Sequence, residues 1–156
     1  SGRLAAARQQ RMEVHKAPLR LDDLARDMVE VFLEGRAAAV NLDAASPVEV
    51  PADREQLGKV LMNLLLNAAE AGAQNIDLRV HADKGWAVVT VRDDGPGIER
   101  DFLERRLFQL FATTKAKGLG IGLYQSRVIV EAHGGRLEAD SAPGAGATFR
   151  LRLPPG

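Results

Sequence analysis

Apolar residues recur at helical spacing soon after residue 20. Leu24, Met28, Val31 and Phe32 fall on one side of a helix that opens at Leu21-Asp22-Asp23 and ends at Gly35. Residues 38–50 cluster around Val40, Leu42, Val48 and Val50 with a turn at Ser46-Pro47, which predicts a strand pair. Asp53 followed three residues later by Gln56 is a capping-box pattern. It opens a long helix to about Ala71, closed by Gly72. On that helix Leu57, Leu61, Leu64 and Ala68 form a core-facing stripe, and Gln56, Lys59, Asn63, Asn67 and Glu70 a polar one. Residues 75–82 and 86–93 alternate like strands joined near Lys84-Gly85. A glycine turn at 95–97, a short helix near 99–106 and an irregular glycine-rich stretch at 108–122 come next. The pattern then predicts a helix over 122–133, ended by Gly134-Gly135, and strands over 136–140 and 147–153 around a turn at 144–146. Upstream, residues 3–16 read as helix, stopped by Pro18. This order predicts the α+β class: a two-layer sandwich of one mixed, mostly antiparallel sheet covered on one face by helices.

Composition narrows the picture. The 156 residues are one domain's length, and 46% hydrophobic with 27% charged residues excludes a disordered chain. Lys+Arg and Asp+Glu are both 21, so the basic footprint of a nucleic-acid binder is missing. Without cysteine there is no disulfide framework and no thiolate metal site. No apolar run reaches the ~18 residues of a membrane span, and no signal peptide heads the chain. Residues 1–20 carry five basic residues (Arg3, Arg8, Arg11, Lys16, Arg20) and one acid, Glu13. No Met opens the chain, so residues 1–18 are expected to be the end of a preceding helix and a linker, and 19–156 the folded domain.

Four places carry possible chemistry. Asn63 and Asn67 are four apart, one turn or ~6 Å along the same helix face. Asparagine is a poor helix interior residue, so the pair is either part of a wet surface or a pair of amide oxygens facing a cleft, able to hold a hard cation. The run Asp93-Asp94-Gly95-Pro96-Gly97-Ile98 follows a strand. There a carboxylate could accept a hydrogen bond from the amine of a base, with glycines allowing close approach; a simple turn would look the same. In Phe108 to Leu123, glycines 118, 120 and 122 alternate into a helix N-terminus, a place where backbone N–H groups and the helix dipole favour an anion. Thr113, Thr114, Lys115 and Lys117 add donors and positive charge, which suits a lid over phosphates. The spacing is neither GxGxxG nor a P-loop. Last, Gly144-Ala145-Gly146 feeds a strand through Thr148 and Phe149, a pattern that alone is only a hairpin.

In this order the four blocks resemble the ATP-binding domain of sensor histidine kinases, in the superfamily that includes gyrase, Hsp90 and MutL ATPases. The resemblance covers roughly residues 20–154. Asn63 to Ala68 resembles the N box, Asp93 to Gly97 the G1 box, and Phe108 to Phe111 with Thr113, Thr114 and Lys115 the F box and lid. Gly118 to Leu123 resembles the G2 box, and Gly144 to Phe149 the last glycine box. The short lid with its Thr-Thr-Lys is most similar to the nitrogen-regulation and oxygen-sensing type.

The resemblance implies a Bergerat fold that binds ATP and Mg2+. Asn67 would coordinate the metal and Asn63 would contact phosphate or metal. Asp93 would bind the adenine amine, with Gly95, Gly97 and Ile98 around it. Phe111, Thr113, Thr114 and Lys115 would form the lid, Lys115 adding catalytic charge. Gly118, Leu119, Gly120, Gly122 and Leu123 would line the phosphates, and Thr148 would support the adenine pocket. Related ATPases carry a water-activating Glu where this chain has Asn63, an amide that cannot act as a base, so phosphoryl transfer is favoured over rapid hydrolysis. Glu70 departs from the family's usual Lys or Arg, as does Tyr124-Gln125-Ser126 from its usual sequence.

The three histidines, His15, His81 and His133, lack the acceptor's surroundings, so the phosphoaccepting His is expected on a separate dimerisation domain, of which residues 1–16 would be a remnant. The implied partners are that domain and a response regulator, with no nucleic acid. The isolated domain would be monomeric and the full-length protein a homodimer, cytoplasmic in this part whether or not the full-length protein is membrane-anchored. An ATPase or clamp of the same superfamily, a serine-kinase anti-sigma factor and a degenerate nucleotide-binding module are the competing readings.

Overall fold

The structure is a computed structural model that describes residues 13–97, 120–141 and 144–156. In chain order the elements are β1 (Ala17–Arg20), α1 (Leu21–Leu33), β2 (Ala39–Asp43), β3 (Glu49–Ala52) and α2 (Arg54–Glu70). Then follow β4 (Asn75–Asp83), β5 (Trp86–Asp93), α3 (Gly120–Ala132), β6 (Arg136–Ser141) and β7 (Ala147–Leu153). Five strands form one sheet in the order β2-β4-β5-β7-β6. Only β2 and β4 run parallel; the other pairs are antiparallel, so the sheet is mixed as expected.

Strand alternation sorts the two faces. On β7, Ala147, Phe149, Leu151 and Leu153 are buried and the residues between them are half-buried. On β4, Ile76, Leu78 and Val80 point the same way. They meet Leu57, Leu61, Leu64 and Leu65 of α2 in a single apolar cluster. Each such side chain contributes roughly 1.5–3 kcal/mol on burial. At Gly58, where α1 crosses α2, a Cβ would stand at ordinary contact distance from the Met28 sulfur, 3.5 Å.

The strand pair expected over 38–50 does not form. β2 joins β4, while β3 pairs with β1 in a separate two-stranded sheet, Leu19 opposite Val50. The cause lies at the start of α1. The Leu21 N–H donates to the Val48 carbonyl at 2.8 Å, and the Val48 N–H donates to Asp22 Oδ1 at 2.9 Å. This clasp turns the chain between the two strands and sends them to different partners. Upstream, residues 13–16 are not helical and Ala17–Arg20 is a strand, so the boundary drawn after residue 18 falls inside β1. Pro18 stands opposite Pro51, a pairing possible only where neither N–H is needed in the ladder. The helix expected near 99–106 and most of that over 3–16 lie outside the described residues. The helix expected from 122 begins at Gly120.

Candidate functional site

The site is built along α2. Asp53 caps this helix by accepting the Gln56 N–H at 3.2 Å, as the capping box predicts. Asp53 also accepts the His15 backbone N–H at 3.0 Å, and these N–H donors, His15 first, hold its carboxyl below the usual carboxylate range. Its own N–H donates to Nε2 of the buried His133 at 3.0 Å. The other ring nitrogen of His133, Nδ1, lies 2.8 Å from the Ile129 carbonyl, which can only accept, so the ring is the Nδ1-protonated tautomer. The start of α2 is thereby tied both to the entering chain and to the end of α3.

The stripe pattern of α2 is as read from the sequence. Leu57, Leu61, Leu64 and Ala68 are buried, whereas Asn63 and Asn67 are half-buried and successive on the other side. Asn63 faces the first turn of α3. Its Nδ2 lies 3.3 Å from Ser126 Oγ and 3.5 Å from the Gly122 carbonyl. Glu70, the acid that departs from the family pattern, is exposed at the helix end.

Two glycine turns close on the end of β5. Asp93 is buried, and its Oδ1 accepts the Gly95 N–H at 2.8 Å and the Ala147 N–H at 3.3 Å. At Gly146 the backbone φ is +74° and a Cβ would lie 2.1 Å from the Asp93 carbonyl oxygen, so no side chain fits. A Cβ on Gly95 would lie 3.0 Å from Asp93 Oδ1 and 3.6 Å from the Ala71 carbonyl at the end of α2. The Gly144 N–H donates to the Pro96 carbonyl and joins the two turns. Gly97, at φ +82°, supplies the left-handed residue of the first turn.

Asp94 is structural. It accepts N–H groups of Gln74 and Asn75 and the Asn75 amide, and the Asn75 side chain leads in holding its carboxyl below the usual range. A 470 Å³ cavity at the two turns is lined by Asp93, Asp94, Gly95 and residues 144–146, together with Asn75, Asp77 and Arg92 of the adjoining strands.

The structure brings together Asn63 with Gly122, Gly95 with the end of α2, and Gly146 with Asp93. Leu123 is buried in the core. Gly120 is the first residue of α3. Thr148 is not at the cleft: it stands opposite Arg92 and Asp140 on the outward face, and its neighbour Ala147 is the residue that meets Asp93. Ile98, Phe111, Thr113, Thr114, Lys115, Gly118 and Leu119 lie outside the described residues. Sequence reasoning missed Ser126 and Ala147. Ser126 had a signal, a lone hydroxyl in the buried stripe Leu123, Ser126, Val130, His133; Ala147 acts through its backbone and had none.

Asn63 of α2 thus faces the start of α3, and the end of α2 meets the glycine turns over the buried Asp93. The chain belongs to the histidine kinase-, DNA gyrase B- and HSP90-like ATPase family, which it matches over residues 52–156. It is 46% identical over 110 residues to the sensor protein FixL of Bradyrhizobium diazoefficiens, covering 67% of this chain and 22% of FixL. It is 42% identical over 113 residues to the signal transduction histidine-protein kinase AtoS of Escherichia coli, covering 70% of this chain and 18% of AtoS. The solved structure of full-length ShkA in complex with AMPPNP superposes with a TM-score of 0.81 at 28% identity, over 92% of this chain and 32% of that one. The chain thus spans about a fifth of the length of these curated relatives. Among the described residues no helix is long and apolar enough to cross a membrane.

Proposed function

We propose that this chain is the ATP-binding catalytic domain of a sensor histidine kinase and passes the γ-phosphoryl group of ATP to a histidine on a separate dimerisation domain, for relay to a response regulator. The observation that carries the reading is the Asp93 cradle, a buried carboxylate fixed by the Gly95 and Ala147 N–H groups where Gly146 excludes any side chain. A carboxylate held so rigidly can accept a hydrogen bond from the adenine amine without reorganising.

Asn67 would hold Mg2+ and Asn63 the metal or phosphates. The donor set fits a hard cation, because an asparagine amide offers an oxygen ligand and the phosphates would supply others. Bound Mg2+ supplies neutralisation of phosphate charge. The protein supplies orientation: the glycine-led start of α3 offers backbone N–H groups to the phosphates, and Lys115 with Thr113 and Thr114 would close over them. The transfer forms a bond from an imidazole nitrogen to γ-phosphorus, breaks the bond to the β,γ-bridging oxygen and releases ADP. Asn63 favours transfer over hydrolysis, because an amide cannot deprotonate water. The resemblance of lid and boxes supports the nitrogen-regulation or oxygen-sensing type, and the domain would work in the cytoplasm within a homodimer.

The test mixes the chain with γ-labelled ATP and a separately prepared dimerisation domain. Acid-labile, base-stable label on that domain is the expected result. Nucleotide binding without any transfer to it, across several such domains, would refute the kinase reading and leave a binding module or an ATPase.

A further inference from the structure

We propose that Ser126 is a positioning residue that sets the orientation of the Asn63 amide, presenting its carbonyl oxygen to the metal–phosphate side of the cleft. The inference rests on the nucleotide-site reading given above. Ser126 has no exposed surface, although it is a hydroxyl between the buried apolar residues Leu123 and Val130. Burying a hydroxyl is costly unless it is hydrogen-bonded, and its partner here is Asn63 Nδ2 at 3.3 Å. The Gly122 carbonyl, one turn earlier on α3, lies 3.5 Å from the same nitrogen. A carbonyl only accepts, so the end of the amide that meets it must be the NH2, while Oδ1 lies beside Gly122, 3.6 Å from where a Cβ there would stand.

The consequence is chemical. An asparagine amide has two nearly isosteric ends, and only the oxygen can serve a hard cation. With Nδ2 held on α3, Oδ1 is the end left over, and among the described residues it makes no hydrogen bond. Without the Ser126 hydroxyl the amide would keep only the longer contact to Gly122 and would turn freely. Half of its orientations would then set an NH2 where an oxygen is required. The same two contacts join the asparagine helix to the glycine-led helix, so the two phosphate-side elements are coupled through one amide.

The experiment titrates the full 156-residue chain with a non-hydrolysable ATP analogue, once in Mg2+ and once in EDTA. Ser126→Ala is expected to lose about three- to tenfold in affinity in Mg2+, the worth of one neutral hydrogen bond, and less than about twofold in EDTA. Asn63→Ala combined with Ser126→Ala should be no weaker than Asn63→Ala alone. A purely structural serine would weaken both titrations equally, and that outcome overturns the proposal. So does an unchanged affinity in Mg2+, or fully additive losses in the double variant. Should Ser126→Ala fail to fold, Ser126→Cys, close in volume and a poor acceptor, is titrated with the same expectations. A parent chain that binds no nucleotide in either buffer overturns the site reading and this inference with it. A parent that binds while Ser126→Ala matches it overturns the inference alone.

Discussion

Asp22 and Asp93 are both buried carboxylates, 1% and 7% exposed, yet they are satisfied in different ways. Asp22, at the start of α1, receives the Arg20 guanidinium at 2.7 Å, the Arg26 guanidinium at 3.3 Å and the Val48 N–H. The Arg20 hydrogen bond is the main reason its carboxyl stays well below the usual carboxylate range, against the effect of burial. Asp93 receives backbone N–H groups from two glycine turns. One aspartate clamps three segments of chain together, whereas the other is set in a mould of backbone. Burial alone therefore does not mark a site. Nor does the kind of donor alone, since buried Asp53 and the structural Asp94 are also held by backbone N–H groups; Asp93 is set apart because its donors belong to two glycine turns that leave no room for a side chain beside it.

The hardest blow to the Asp93 side of this comparison is Gly146→Ala. A Cβ would lie 2.1 Å from the Asp93 carbonyl oxygen, a backbone atom that cannot swing away, and φ is +74°. The turn must open, at a cost of more than about 3 kcal/mol, with nucleotide binding lost as well. Urea unfolding reads the first effect and calorimetry the second. A variant as stable as the parent would show that the mould is not rigid.

The blow to the other side is Asp22→Ala, expected to cost about 3 kcal/mol. This is the low end for breaking a buried pair, since Arg20 and Arg26 are 43% and 47% exposed and can rehydrate. The same clamp has a pH signature. The folded pKa of Asp22 lies below the ordinary value of 3.8, so its stabilisation is fully present above that value and is lost as the pH falls through the lower, folded one. Urea midpoints should therefore drop on acidification below about pH 4, and Asp22→Asn should flatten that limb. A limb equally steep in the variant would assign the acid sensitivity elsewhere, with Asp53 and Asp94 shifted in the same direction as candidates.

What the sequence made legible follows from this contrast. Periodic elements were readable, because α2 and β7 each solve a local problem of burying one face. The glycine blocks were readable through a resemblance, and the structure shows why they keep glycine: at Gly146 any side chain would collide. The β2–β3 pairing was misread, because its outcome depends on Asp22 and Val48, 26 positions apart and joined only by folding. The alternation of β7 could have settled Thr148: if Phe149 faces the core, Thr148 cannot. Ala147 gave no signal, since its contribution is an N–H that every residue except proline carries.

A smaller effect is expected where two elements are merely stapled. His133→Phe removes the acceptor for the Asp53 N–H, leaving that buried donor unsatisfied at about 1–3 kcal/mol, while the Ile129 carbonyl keeps the backbone N–H of residue 133. Because this junction fixes the start of α2 and the end of α3, the loss should appear in thermal unfolding while nucleotide affinity in the folded population changes little. A large affinity loss at unchanged stability would mean that the junction communicates with the cleft.

The smallest effect on stability, and the sharpest test of the comparison, is Asp93→Asn. The Gly95 and Ala147 N–H groups both donate to Oδ1, and an asparagine carbonyl oxygen in the same place accepts them equally well. With these two kept, the fold should lose less than about 1 kcal/mol. The other end of the group changes from an oxygen to an NH2, which meets an exocyclic amine donor to donor. Affinity for an adenine nucleotide should fall at least about tenfold, the cost of an unmade hydrogen bond to a charged group. Calorimetry and urea unfolding on the same sample separate the two quantities. Asp22→Asn must behave in the opposite way, losing stability with its guanidinium partners and keeping nucleotide affinity. If both variants lose stability alone, Asp93 is a second clamp, and the backbone mould around it serves the fold rather than a ligand.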